Sequence, residues 1–300
     1  MIKVGIPRAL LYHRFGDQWT DFFKELGCEV VLSEATNKSI VNRGAKRSED
    51  GTCIAVKNFF GHILNIADRV DYLFIPRYVR ADKETKMCPN IILLPDIIRS
   101  SFSDLPEIID PLIDSAKGSG QKEIFSLALK FCNNRQKADK ATEIFFPIKN
   151  KIRRLKICRD KINVGLVGHD YIAKDNHLNM DIKQILRQLN VHFVETENID
   201  ICKLIVNSKK STTKLPWSFQ KEVLDSAFYF INHKQIDGLI QLSAFACSPD
   251  SVTHEIIKDY SDKMKKPYLK LFIDEHAGRT AFLTRIEAFI EMLKIKNKKL

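Results

Sequence analysis

Short apolar, β-branched runs ended by Pro or Gly alternate with helix-period segments along most of this chain. That alternation narrows the fold more than any other feature, because strands interleaved with helices form a parallel sheet covered on both faces. The first run, residues 2–6, stops at Pro7, and a helix pattern follows in Trp19-x-x-Phe22-Phe23-x-x-Leu26, closed by Gly27. A strand over residues 29–33, a polar connection and a helix over residues 54–70 come next. Residues 72–76 and 91–95, compact apolar runs bounded by Pro or Asp, read as short buried strands. The second half repeats the plan, with strands expected over 162–167, 191–194, 238–242 and 268–273 and helices over 180–189, 220–232 and 252–264. A last helix over 285–294 is expected to start at Thr284-x-x-Glu287, which has capping-box spacing. Residues 105–159 read as helices joining two sheets, with a break over 117–120. The expected architecture is α/β: two doubly wound parallel-sheet lobes with a helical connector, divided as residues 1–158 and 159–300.

Length agrees with two domains, since 300 residues exceed what one compact domain usually holds. Hydrophobic residues at 44% argue against a disordered chain. No apolar run is long enough to span a membrane, and the N-terminus carries no signal pattern, so the reading is cytoplasmic. The formal net charge of +11 suggests nucleic acid as a partner. The excess, however, collects over residues 149–161 and 294–300, without interleaved aromatics and without any helix-turn-helix or zinc-finger spacing. Such runs are usually solvated helix faces, which ranks nucleic acid last among the partners.

Seven cysteines in a chain without a signal pattern read as free thiols. None forms C-x-x-C, so any metal site has to be assembled in three dimensions. In an open parallel sheet, ligands collect beyond the carboxyl ends of the strands. Cys53, Cys88 and Cys247 map to that edge, Cys53 just before a helix, Cys88 in the loop after residues 72–76 and ahead of Pro89, and Cys247 after the strand 238–242; near a helix N-terminus a lowered thiol pKa favours ligation. Core packing remains an open alternative for these three, and it is the expected role of Cys28, Cys132, Cys158 and Cys202. His62 reads as a packed residue. Asp274-Glu275-His276 reads as polar lining at the same edge as Cys247, with helix capping as the alternative. No dinucleotide fingerprint, P-loop, Gly-x-Ser-x-Gly elbow or His-Glu-x-x-His occurs.

Several strings together carry a resemblance. They are residues 2–10 (IKVGIPRAL), Leu32-Ser33 with Thr36, Cys53-x-x-x-Lys57-x-x-x-Gly61-His62, residues 72–77 (YLFIPR), Cys88-Pro89, Gly165-Leu166-Val167-Gly168-His169 with Tyr171 and Asp175, Phe245-x-Cys247-x-Pro249, Asp274-Glu275-His276, and residues 284–289 (TRIEAF). In this order they resemble the acyl-CoA dehydratase activase-related proteins, relatives of the cluster-bearing subunits of 2-hydroxyacyl-CoA dehydratases. The resemblance implies flavodoxin-like lobes and a [4Fe–4S] cluster held at their junction by three cysteines, by motif position Cys53, Cys88 and Cys247. Three thiolates leave one iron of a cubane open. It also implies an electron donor, an ATP-hydrolysing activase on a separate chain, and a small-molecule or acyl-CoA substrate. It leaves open whether this chain is an enzyme, a reductase- or dehydratase-type component, or an accessory module, and whether it forms a homodimer. The chain departs from the family in reading Gly51-Thr52-Cys53-Ile54-Ala55 where Glu-x-Cys-aromatic-Pro is usual.

Overall fold

The structure is a computed structural model, which describes residues 1–80, 83–114, 119–146, 155–199 and 215–297. Cys202, residues 117–118 of the expected break and residues 149–154 of the basic run lie outside them. The chain divides into two units, Met1–Asn150 and Lys151–Leu300.

In the first unit, β1 (Lys3–Ile6), β2 (Glu29–Leu32), β3 (Tyr72–Phe74) and β5 (Glu107–Ile109) form a parallel sheet in the order β2-β1-β3-β5. A separate parallel pair joins β4 (Arg77–Arg80) to β6 (Leu112–Asp114). Helix α1 (Tyr12–Glu25) buries Trp19, Phe22 and Phe23, a stripe at helical spacing. Their rings meet Phe74 and Phe145 edge-on at centroid distances of 5.0–5.4 Å, an arrangement that suits the aromatic quadrupole. The expected connector consists of α6 (Ser119–Phe131) and α7 (Arg135–Phe145), which pack on each other and, through α7, on α1.

The second unit carries β7 (Asn163–Val167), β8 (His192–Glu195), β9 (Gly238–Ala244) and β10 (Tyr268–Ile273), all parallel, in the order β10-β9-β7-β8. Strands β7 and β9 are buried at every residue, as expected for sheet centres covered on both faces. Its helices are α8 (Asp170–Ala173), α9 (Ile182–Gln188), α10 (Ser218–Asn232), α11 (Ser248–Lys263) and α12 (Arg279–Asn297). Gly165 lets α10 lie close on β7, since a Cβ there would come within 2.7 Å of the Phe230 ring. The expected α/β class with flavodoxin-like parallel sheets is therefore the observed one.

Several local expectations are corrected. Residues 91–95 are not a strand: they belong to α4 (Pro89–Ile92) and α5 (Leu94–Ser101), whose prolines fall in the first helical turn. A short apolar run cannot by itself separate a buried strand from a buried helix, and proline suits a helix start. The polar connection before residue 54 contains α2 (Lys38–Arg47), capped by Asn37, whose side chain accepts from Ile40 N–H at 3.1 Å. Strands β5 and β6 occupy part of the stretch expected to be wholly helical. The final helix begins at Arg279, so Thr284 lies inside it and donates to the Thr280 carbonyl at 3.0 Å instead of capping.

Candidate metal-binding positions

Strand order reverses between β1 and β3 in the first sheet and between β7 and β9 in the second. Such switch points are where open α/β sheets bind ligands. The candidate cysteines have one local feature in common: each is the residue immediately before a helix. Cys53 precedes α3 (Ile54–Ile66), Cys88 precedes α4 and Cys247 precedes α11, all three with extended backbone and all half-buried. The exposed N–H groups and positive dipole end of a helix favour negative charge at that position.

In the first unit, Cys53 and Cys88 are electrostatic neighbours. Asn90, two residues past Cys88, also points its Nδ2 at the Cys53 sulfur, 4.0 Å away. Burial, with a smaller push from a charge on Cys53, raises the Cys88 thiol to about 11 against the downward pull of the N–H groups of Ile91, Asn90 and Cys88 itself. The expectation of a lowered thiol pKa is thus overturned at Cys88, because desolvation outweighs the helix terminus. A bound cation would reverse that balance by supplying the charge burial withholds. Cys28 is buried and Cys132 and Cys158 are half-buried. Burial also pushes Cys28 up to about 11, with Lys137 lowering it and Cys132 raising it.

Cys247 belongs to the second unit. Ala246, just before it, has φ 59°, a left-handed conformation that costs a non-glycine residue roughly 1–2 kcal/mol. That turn carries the chain from β9 into α11, whose first turn brings Asp250 to the same side as Cys247. His169, two residues past β7 and immediately ahead of α8, completes a group whose ligand atoms lie within 4.8 Å of one another. His169 and Asp250 are buried, and His169 Nε2 is 2.9 Å from Asp250 Oδ1. The other carboxylate oxygen is fixed by the Ala244 N–H at 3.0 Å and the Ser243 hydroxyl at 3.3 Å. The His169 ring stacks on Tyr171, centroids 5.0 Å apart. Burial lowers the His169 pKa, but the carboxylates of Asp250, Glu222 and Asp170, Asp250 foremost, together more than offset this, and the net direction is up. This group can hold a metal ion. The sequence reading placed His169 only in a motif and missed Asp250. The available signal was Cys-x-x-Asp at a helix start, a spacing that puts both side chains on one face.

Other motif residues have structural work. Both ring nitrogens of His62 are engaged, Nδ1 by the Ser33 hydroxyl at 2.7 Å and Nε2 by the Thr36 hydroxyl at 3.0 Å. Asp175 accepts from the N–H groups of His177 and Leu178, each at 3.0 Å, and shapes the turn before α9. Asp274 likewise accepts from His276 N–H at 2.7 Å, closing a turn ahead of α12. No helix among the described residues is long and apolar enough to cross a membrane.

Residues 3–199 match the family described as CoA enzyme activase uncharacterised domain, and residues 178–293 match the family described as 2-hydroxyglutaryl-CoA dehydratase, D-component. No curated protein matches the chain.

Proposed function

The chain belongs to the CoA enzyme activase family whose uncharacterised domain matches about two-thirds of it, and from that premise we propose that it is an iron–sulfur redox protein of the 2-hydroxyacyl-CoA dehydratase type. In this reading Cys53, Cys88 and Cys247 hold a [4Fe–4S] cluster, and an ATP-hydrolysing activase on another chain is the electron donor. The observation that carries the reading is the common placement of the three thiols at helix starts. Thiolate is the usual cluster ligand, and backbone N–H groups near the sulfurs are one of the protein's levers on cluster potential. The bound cluster would supply one-electron chemistry at low potential. The chain's own contribution is to fix the sulfurs: Asn90 and the α4 amides around Cys53 and Cys88, the strained Ala246 turn behind Cys247. The substrate class in this reading is a small molecule or acyl-CoA, and the place of action is the cytoplasm.

A second reading, a cluster-free α/β binding or accessory module with structural cysteines, draws on the raised Cys88 pKa, which suits a thiol packed as a small hydrophobe. Anaerobic reconstitution with ferrous iron and sulfide separates the two. Iron, acid-labile sulfide and visible absorption should all appear in the unaltered chain, vanish or fall steeply in Cys88→Ala, and persist in Cys132→Ala. Equal losses in the two variants would mean that cysteine removal acts through folding, and the second reading would stand.

A further inference from the structure

We propose that in the cluster-free chain His169, Cys247 and Asp250 hold a single divalent metal ion of borderline softness, such as zinc or ferrous iron. The inference does not rest on the cluster reading, because all three groups belong to the second unit and neither Cys53 nor Cys88 is needed. Its first support is the donor set. A thiolate discriminates against magnesium and calcium, and imidazole and carboxylate beside it suit zinc or iron. Three protein ligands with one open position is the arrangement of metal sites that bind exchangeable water or substrate.

The second support is the surroundings. His169 and Asp250 are 4% and 1% exposed, so leaving them without a compensating partner is costly. Both ring nitrogens of His169 are buried without a hydrogen-bond partner among the described residues, and Asp250 Oδ1 faces Nε2 only as an ion-pair contact at 2.9 Å. Asp250 is held by Ala244 and Ser243 through Oδ2, and its Oδ1, which faces His169 Nε2, is the oxygen that would turn onto the metal. Outer hydrogen bonds of this kind orient metal ligands. Gln220 donates to the Pro249 carbonyl at 2.8 Å and pins the turn carrying Cys247 and Asp250.

Distances agree with the proposal. Metal bonds of about 2.0–2.3 Å in a tetrahedral site put donor atoms roughly 3.5 Å apart. The present group spans at most 4.8 Å, with the His–Asp pair closer at 2.9 Å. Small side-chain rotations therefore close the site. Binding would expel the thiol proton and any proton shared by His169 and Asp250. Cys247 serves the single ion and the proposed cluster alike, so loading one should impede loading the other.

The test uses cobalt(II) as the probe, titrated into the full-length, metal-stripped and cluster-free chain under anaerobic conditions. A sulfur-to-cobalt charge-transfer band and the strong visible bands of a four-coordinate ion are expected, saturating at one equivalent. Zinc should bleach them. His169→Gln and Asp250→Asn should each weaken binding at least about 10-fold, the loss that even an outer-shell partner can cause, and Cys247→Ser should remove the charge-transfer band. Cys53→Ala and Cys88→Ala should leave the cobalt spectrum unchanged while abolishing cluster reconstitution, so failure of either idea is visible separately. If variants of His169 unfold, the unaltered chain still decides: its melting temperature must rise with added zinc. No cobalt spectrum, or one that survives both His169→Gln and Asp250→Asn, would overturn the proposal.

Discussion

His62 illustrates how a single side chain sets a pH limit. It is fully buried, and burial, helped by the positive charges of His13 and Arg8, lowers its pKa to about 3. Arg8 N–H donates to Ser33 Oγ at 2.8 Å, which leaves the Ser33 hydroxyl hydrogen for His62 Nδ1 and makes the neutral ring the one that fits. In the unfolded chain the same histidine takes a proton near its ordinary value of about 6.5. The unfolded state therefore binds the extra proton over the window from about 6.5 down to about 3, and stability falls as pH falls through it. The contribution is whole above 6.5, and the loss approaches about 1.4 kcal/mol per pH unit within the window. Urea unfolding at pH 6.5 and pH 5 should show about 2 kcal/mol of lost stability from this residue, and His62→Gln should flatten that part of the profile. An unchanged slope in the variant would assign the acid sensitivity elsewhere. At this scale the sequence marked Cys53 as preceding a helix and Cys247 as following a strand, but it set Cys88 before an expected strand where α4 begins. It was silent where function follows from burial, as for the raised thiol of Cys88 or the partnership of His169 with Asp250.

At the scale of elements, the crossing of α2 and α3 decides how the segment starting at Cys53 is held. A Cβ on Gly61 would collide with the Ile40 carbonyl, and one on Gly44 with the Lys57 carbonyl, so each helix lays a glycine against the other's backbone. Alanine in a helix interior is intrinsically favoured over glycine by up to about 1 kcal/mol. Overpacking against rigid backbone costs more, typically 1–3 kcal/mol, so Gly61→Ala should destabilise the protein in urea unfolding and disturb cluster uptake together. A gain in stability would show that the helices can part at little cost. The sequence contained Gly61 within a helix pattern, but α2 went unread because its polar, glycine-interrupted segment lacks a clear apolar stripe. A comparable clasp sits beside Cys88: Arg77 pairs with Asp96 at 2.6 Å and donates to the Ile92 carbonyl at 3.0 Å. Arg77→Ala should lower stability by about 1–3 kcal/mol, the usual worth of charge-assisted hydrogen bonds, read as a lower melting temperature. A variant melting like the unaltered chain would mark the clasp as solvated and idle.

Over the whole molecule, both sheets place their first strand between the second and third; the alternation of runs and helices implied parallel sheets but not this order. The repeat was legible because parallel-sheet physics leaves few ways to cover such strands. A dedicated nucleotide site was not, since neither P-loop nor dinucleotide glycines occur in the sequence. In the proposed reading, the energy that drives reduction of a low-potential cluster comes from another protein. An anaerobic spectroscopic titration with activase, ATP and DNA, each present or absent, tests this. Reduction should require activase and ATP together and should be indifferent to DNA, despite the net charge of +11. Phosphate contacts release counterions and make affinity fall steeply with salt, so a nucleic-acid role would show as salt-sensitive DNA binding in a preparation that refuses iron. Reduction by ATP alone would instead place a nucleotide site within this chain, built from residues that no phosphate-binding motif marks.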